Sequence, residues 1–134
     1  MVEATFTNPF AASVNDWDYG FSLRTNGSYK YWLVVGSEGT WELADRQGSV
    51  DDEVTVGEGD LFNLNLGANE TNHLRVIAWG NTGFFFVNDE FISKLDLSGN
   101  QDSGDIEVIT AFYFDHEIEG EATGYANFNV IPLP

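Results

Sequence analysis

Three glutamates near the end of the chain have a spacing that paired-carboxylate chemistry could use. Glu117, Glu119 and Glu121 occupy alternate positions in the stretch DHEIEGE. Alternate residues of a β-strand share one face, so the three carboxylates would point in the same direction. Retaining glycoside hydrolysis uses two carboxyl groups about 5–5.5 Å apart, one of them with a raised pKa. One hypothesis is therefore that Glu117 and Glu121 act on a sugar.

Other features of the same stretch oppose a catalytic strand. Glu117 and Glu121 are four residues apart, and a strand advances about 3.3 Å per residue, which separates them too widely for this reaction. Jelly-roll glucanases accommodate such spacing through strand curvature, but their central residue is Asp, whereas Glu119 stands here and Gly120 interrupts the strand. We predict a solvated acidic turn, no catalytic residue and no enzyme activity. A glycoside hydrolase stays as an alternative hypothesis.

Composition restricts the possible partners of the chain. The 134 residues include 22 Asp and Glu against 5 Lys and Arg, a formal charge of −17. Such a field repels phosphate backbones and anionic membranes, so we expect no nucleic-acid partner. No apolar run reaches the length of a membrane span, so we also expect no membrane insertion by this domain. With 20 aromatic residues, 14 glycines and no cysteine, the composition is typical of strands and turns.

Alternation with a period of two dominates the chain and predicts an all-β fold. About ten or eleven strands follow one another at the spacing typical of sandwiches and barrels. The predicted strand segments are 17–24, 29–35, 39–45, 54–56, 61–67, 73–79, 83–87, 90–97, 106–114 and 124–133. Hairpin turns are expected at Asn26-Gly27 and at Asn88-Asp89. Two antiparallel sheets packed face to face would bury these half-apolar strands, and a closed barrel is the alternative.

The order of these segments carries a family resemblance. The stretches WDYGFSLR, LRVIAWGNTGFFFVNDEFISKLDLS and GDIEVITAFYFDHEIEGEATGYANFNV resemble a bacterial domain of the concanavalin A-like or laminin-G-like type. The resemblance covers nearly the whole chain, and it departs from the pattern where Asp89 replaces the usual turn glycine. It implies a single jelly-roll sandwich over residues 1–134, excised from a longer protein. It further implies a non-catalytic module of a bacterial surface or secreted protein, with an extracellular or cell-surface location.

Recognition of a glycan or of another surface protein is the function expected for such a module. An exposed aromatic ring stacks against a sugar face, while neighbouring polar groups bind the hydroxyls. Trp17 and Trp41 fall on the buried register, whereas three other aromatics and an acidic rim turn fall outside it. The candidate ligand-binding residues are Trp32, Trp79, Tyr113, Asp115 and His116. A structural spacer that self-assembles through unpaired sheet edges is the alternative function.

Metal sites have only weak signals in the sequence. Calcium takes carboxylate and carbonyl oxygens from loops, and two acidic loops could supply them. Those loops are Asp51–Glu53 and the segment containing Asn100, Asp102 and Asp105. Neither loop matches a known calcium-binding spacing, so we expect no cofactor and leave calcium open. The two histidines lie far apart and have no cysteine partner, a pattern that does not predict zinc.

Overall fold

The computed structural model describes residues 1–110 and 115–134, with the side chain of Val50 outside that set. The described residues form ten strands and one single-turn 3-10 helix, Val50–Asp52. The strands are β1 Val2–Thr7, β2 Asp18–Asn26, β3 Tyr29–Gly36, β4 Thr40–Gln47, β5 Glu53–Asp60, β6 Thr71–Trp79, β7 Thr82–Val87, β8 Glu90–Asp96, β9 Asp105–Ile109 and β10 Gly124–Val130. The prediction of an all-β chain is thereby confirmed.

The strands pair into two five-stranded antiparallel sheets. Sheet I has the order β10-β1-β6-β7-β8, and sheet II has the order β5-β4-β3-β2-β9. In sheet I the first and last strands are neighbours, with Val2 opposite Val130. In sheet II the late strand β9 lies beside β2, with Phe21 opposite Val108. The two separate sheets confirm the sandwich and exclude the closed barrel.

The core lies between the inner faces of the two sheets, where the alternating apolar residues meet. Tyr19 stacks on Phe6 at 4.6 Å and on Trp17 at 5.0 Å between ring centroids, which joins the two sheets. Such aromatic pairs add about 0.5–1.5 kcal/mol beyond their buried area. Trp17 and Trp41 are both buried, so their assignment to the core is confirmed.

Two tight hairpins have the backbone that their sequences predict. Gly27 has φ +59°, and Asn88 and Asp89 have φ +51° and +68°. Positive φ at both central residues, which gives the turn that matches strand twist, occurs at Asn88-Asp89, whereas in the first hairpin only Gly27 has it. Asp89 therefore keeps the turn type despite replacing glycine, and its carboxylate lies 3.6 Å from Arg75 Nη1.

Residues 61–67 form no strand, so that prediction is wrong. The segment follows an irregular path in which asparagine side chains take the place of a ladder. Asn63 Nδ2 donates to Val87 O at 2.7 Å, and Asn65 donates through its backbone N to Asn72 Oδ1 at 2.8 Å and through Nδ2 to Thr71 O. Side-chain amides compete with strand pairing in this way. The period-two pattern of leucine and asparagine imitated a strand.

A buried polar network closes one end of the sandwich, which we call the asparagine end. Tyr19 donates its hydroxyl hydrogen to Asn8 Oδ1 at 2.7 Å and accepts a hydrogen bond from Asn72 Nδ2 at 2.8 Å. Asn72 Oδ1 also accepts from Asn88 Nδ2 at 2.9 Å, and Asn8 Nδ2 donates to two carbonyls of the 61–70 segment. Burial raises the pKa of Tyr19 well above its usual range. The network holds the irregular segment against both sheets.

Candidate functional site

On the outer face of sheet II, small buried residues lie beside larger aromatic and charged residues. Strand register places Trp32 between Ser22 and Ala44, both of which are buried, with Thr55 following on β5. The adjacent row places Arg46 opposite Glu53. Because side chains alternate along a strand, these residues share the face turned away from the core. We call Trp32, Glu42, Arg46, Glu53 and Thr55 the sheet II patch.

Trp32 and Arg46 form the centre of the sheet II patch. The Arg46 guanidinium carbon lies 3.9 Å above the indole centroid. Its Nε and Nη2 atoms donate to Glu53 Oε2 at 3.0 and 2.8 Å. A cation over an indole is attracted by the ring quadrupole. The ion pair with Glu53 fixes the orientation of the guanidinium group. Trp32 Nε1 is a buried donor that has no hydrogen-bond partner among the described residues.

A second polar pair lies on the same face, one row away. Thr55 Oγ1 donates to Glu42 Oε1 at 2.6 Å, and Glu58 stands opposite Glu42 in the ladder. Glu53, Thr55 and Glu58 are exposed. Ionised carboxylates accept hydrogen bonds through two oxygens, whereas the Thr55 hydroxyl donates or accepts. The face therefore offers ring, cation and acceptor groups within three neighbouring strands.

A hollow of about 230 Å³ lies where this face meets the loops at the asparagine end. Val34 and Glu42 belong to the sheet, and Asp16 and His116 come from loops. His116 Nε2 is 3.8 Å from both Asp16 Oδ2 and Asp115 Oδ1. Asn15 Nδ2 donates to Asp115 O at 3.1 Å. The acidic rim turn is thus tethered beside the sheet II patch.

The predicted ligand-binding residues separate into two places. Trp32, Asp115 and His116 lie on the sheet II side, where Val34 and His116 line one hollow. Trp79 lies instead at the end of β6 in sheet I and is 62% exposed. Tyr113 lies outside the described residues. The ligand-binding role of these five residues stays a prediction, and the described part of the fold places three of them near one another and Trp79 apart.

Sequence reasoning missed Arg46 and its partners. Their juxtaposition depends on the β4–β5 register, which shifts at a bulge between Leu43 and Ala44. A one-residue shift moves side chains to the opposite face, so alternation alone could not place Arg46 beside Glu53. The available signal was weaker: Arg46 is one of five Lys and Arg in a chain with 22 acids, and it directly follows the predicted strand segment 39–45.

The glutamate stretch is a turn, as predicted. Residues 115–123 contain no strand, Gly120 has φ +84°, and Glu121 N donates to Ile118 O at 3.1 Å. Glu117, Glu119 and Glu121 border a hollow with Phe10. The shared strand face that the catalytic hypothesis needed is absent from this described stretch.

Each of the two loops considered for calcium has a side-chain oxygen that accepts a hydrogen bond from within the protein. Asp52 Oδ2 accepts from Ser49 Oγ at 3.0 Å, and Asn100 Oδ1 accepts from Asp102 N at 3.2 Å. Within residues 1–110 and 115–134, no three His, Cys, Asp or Glu side chains are grouped closely enough to hold a metal ion. No helix in that part of the chain has the length and apolar character of a membrane span.

Comparison with known proteins finds similarity in structure. No family model matches the sequence, and no curated protein matches it. The carbohydrate-binding module CBM66 of Bacillus subtilis superposes with a TM-score of 0.64 at 8% identity, covering 95% of this chain and 71% of that one. Chicken galectin 2 gives a TM-score of 0.55 at 10% identity, covering 93% of this chain and 88% of that one. Sheep galectin-11, solved in complex with glycerol, gives 0.56 at 10% identity, with the same 93% and 88% coverage. The predicted jelly-roll sandwich is thereby confirmed.

Proposed function

We propose that this chain is a non-catalytic carbohydrate-binding module whose glycan lies on the sheet II patch. One observation carries the proposal: a guanidinium held at once by an indole face and a carboxylate, on a sheet face lined with acceptors. The likeness in fold to a carbohydrate-binding module and to two galectins supports the proposal.

The chemistry of the sheet II patch suits a pyranose or furanose ring. Sugar rings have an apolar C–H face and a rim of hydroxyls, so they need one flat partner and several directional ones. The Arg46 guanidinium, which lies over the Trp32 indole, supplies the flat surface, with guanidinium donors at its edge. The Glu42 and Glu53 carboxylates accept hydrogen bonds from hydroxyls, and Thr55 does either. His116 extends the polar rim from the neighbouring hollow.

The charge of the chain selects among glycans. At −17 the domain repels anionic ligands, so uronic acids and sulfated sugars are disfavoured over neutral chains. We further propose that the module belongs to a bacterial surface or secreted protein and works outside the cell. Detection of the full-length protein in cell-wall or medium fractions tests that location.

Array binding with matched variants tests the glycan site. The chain is screened on neutral and anionic glycans, and hits are measured by calorimetry for Trp32→Ala, Arg46→Gln and the control Phe91→Ala. Phe91 is an exposed aromatic on the outer face of sheet I. We expect Trp32→Ala and Arg46→Gln to weaken binding by about tenfold or more, since each removes a desolvated contact. Equal affinity of all three variants, with unchanged melting, would show that the glycan binds elsewhere.

A self-associating spacer, or a module that binds a surface protein, is the second candidate function. The observation favouring it is a row of aromatic residues on the outer face of sheet I. Trp79, Phe84 and Phe91 are 62%, 38% and 55% exposed, and Phe86 packs edge-on against Phe91 at 5.6 Å. Light scattering across a concentration series, with Phe84→Ser as the variant, tests it. A spacer gains mass with concentration, and Phe84→Ser should reduce that gain; a mass that stays at that of one chain would contradict self-association.

Catalysis is tested separately. Wild-type chain and Glu117→Gln are incubated with β-glucans and assayed for reducing ends. We expect no turnover from either protein, and turnover that Glu117→Gln abolishes would restore the glycosidase hypothesis.

A further inference from the structure

A pocket opens between the two sheets at the end opposite the asparagine network, and we call it the open-end pocket. Its volume is about 530 Å³, within the range of small-molecule sites. Sheet I contributes Val76 and Ala78, sheet II contributes Leu23 and Ile106, and the C-terminal residues 131–134 run along one side. It is separate from the sheet II patch and independent of the proposed glycan binding.

The base of the open-end pocket is apolar and belongs to the core. Leu23, Val76 and Leu97 line it while being 5%, 1% and 1% exposed. Nearer the mouth, Trp79 is 62% exposed and Ile131 is 45% exposed. An apolar group that enters from the mouth would therefore shelter both the base and these exposed side chains from water. Covering such surface is favourable by about 25 cal/mol per Å².

Arg24 gives the mouth of the pocket a positive charge. Its Nη1 donates to Leu97 O at 3.1 Å and to Asn100 O at 2.8 Å, and its Nη2 donates to Gly80 O. Those three partners are neutral carbonyls, which orient the guanidinium without neutralising it. Arg24 also has φ +53°, in a bulge of β2. Left-handed backbone at a non-glycine residue costs free energy and concentrates at functional sites.

The loop that lines the pocket beside Arg24 is built to approach that bulge. Gly104 lies so close that a Cβ would meet Thr25 O and the carbonyl carbon of Arg24. Only glycine allows this contact, so the loop 101–104 is set against the strand. Asp102 is the one acidic side chain among the described lining residues, and it is exposed. In a chain with 22 acids, this lining is nearly free of them.

From this arrangement we propose that the open-end pocket binds a small amphipathic monoanion. Its alkyl or aryl group lodges among Leu23, Val76 and Ala78, and its carboxylate or sulfonate faces the Arg24 guanidinium. The apolar walls select for the tail, and the oriented Arg24 guanidinium selects the sign of the head group. The surrounding negative field limits the ligand to a single charge.

Three ten-carbon probes with different heads test the proposal: decanoate, decanol and decyltrimethylammonium, all below micelle concentrations. Binding is followed by calorimetry on wild-type chain, on Ala78→Leu, which fills the pocket, on Arg24→Gln, which removes the charge, and on the control Phe91→Ala. We expect one decanoate per chain, bound at least about fivefold more tightly than decanol, with no binding of the ammonium probe. Ala78→Leu should weaken decanoate by about tenfold. Arg24→Gln should bring decanoate to the level of decanol.

Several outcomes overturn the proposal. These are equal affinity for decanoate and decanol, multiple weak sites, or undiminished binding by Ala78→Leu. Should a variant fail to fold, nitrogen–proton correlation spectra of the wild-type chain decide the matter. A saturable shift of the Trp79 indole N–H by decanoate supports the pocket, and its absence refutes it.

Discussion

The two ends of the sandwich are closed by opposite means. At the asparagine end, Tyr19 reaches the amides of Asn8 and Asn72 in a connected network, beside which Trp17 Nε1 and Asn63 Oδ1 are buried without a partner among the described residues. At the open end, Tyr31 accepts a hydrogen bond from Asn100 N at 2.8 Å, and Arg24 holds three carbonyls around a pocket. Each end thus buries one tyrosine hydroxyl. The amide side chains at the asparagine end fill the space between the sheets. At the opposite end the Arg24 side chain reaches across that space and leaves the open-end pocket beside it.

This difference between the two ends indicates that one end contributes mainly to stability and the other to binding. Buried amides are costly to disturb because each lost partner leaves another group unsatisfied. A partly exposed guanidinium bonded to carbonyls can exchange those contacts with water at lower cost. We therefore expect the asparagine end to dominate stability and the open end to tolerate substitution.

The largest effect is expected for Asn72→Ala at the asparagine end. The side chain bonds Tyr19, Asn65 and Asn88, so its removal leaves several buried groups unpaired. We expect a loss of about 2–4 kcal/mol in the free energy of unfolding. Urea denaturation measures it, with the exposed Asn129→Ala as control. A loss no greater than the control's would mean that the network is dispensable.

Arg24→Ala at the open end should cost less, about 1–2 kcal/mol. The variant loses three bonds to carbonyls, but water reaches the freed carbonyls, and alanine keeps the same positive φ, so the backbone contributes little to the change. Hydrogen exchange should quicken at residues 97–104 while β6 keeps its protection. A cost exceeding that of Asn72→Ala would reverse the ranking of the two ends.

Alkaline pH tests the two tyrosines. Burial raises the pKa of both Tyr19 and Tyr31 above the ordinary value of 10.0. Below that value both phenols are neutral in either state, so stability is unaffected; above it the unfolded chain releases protons more readily, and stability falls as pH rises. Tyr19→Phe should lose about 1 kcal/mol at neutral pH, and its stability should fall less steeply above pH 10. Parallel pH profiles for wild type and variant would contradict this.

The smallest effect is expected at the turn that borders the asparagine end. Asp89→Gly removes an exposed ion pair with Arg75 but relieves a positive φ, so the net change should lie within about 1 kcal/mol, with either sign. Thermal unfolding at low and high salt separates the ion-pair contribution, which salt screens, from the backbone contribution, which salt leaves unchanged. A large loss in both would give Asp89 a role beyond the turn.

Much of the fold could be predicted because alternation reports which face of a strand is buried. Trp17 and Trp41 were assigned to the core on that basis, and Trp32 to an outer face. The segment 61–67 was predicted wrongly, because its period-two pattern is that of a strand whereas a network of side-chain hydrogen bonds decides its path. The pairing of Arg46 with Glu53 and the pocket beside Arg24 depend on bulges in β4–β5 and β2. Such register shifts depend on how neighbouring strands pair in the folded chain, so they cannot be predicted from local residue types.

The strand order has a consequence for how the molecule forms. Before residue 98 the chain contains four strands of each sheet, and β9 and β10 then add to the exposed edges of β2 and β1. Both late strands pair across long stretches of sequence, and such contacts form slowly. Ile106 and Val130 on these strands also line the open-end pocket. We therefore expect that cavity to be completed late in folding and to be the first region to open when the native state fluctuates.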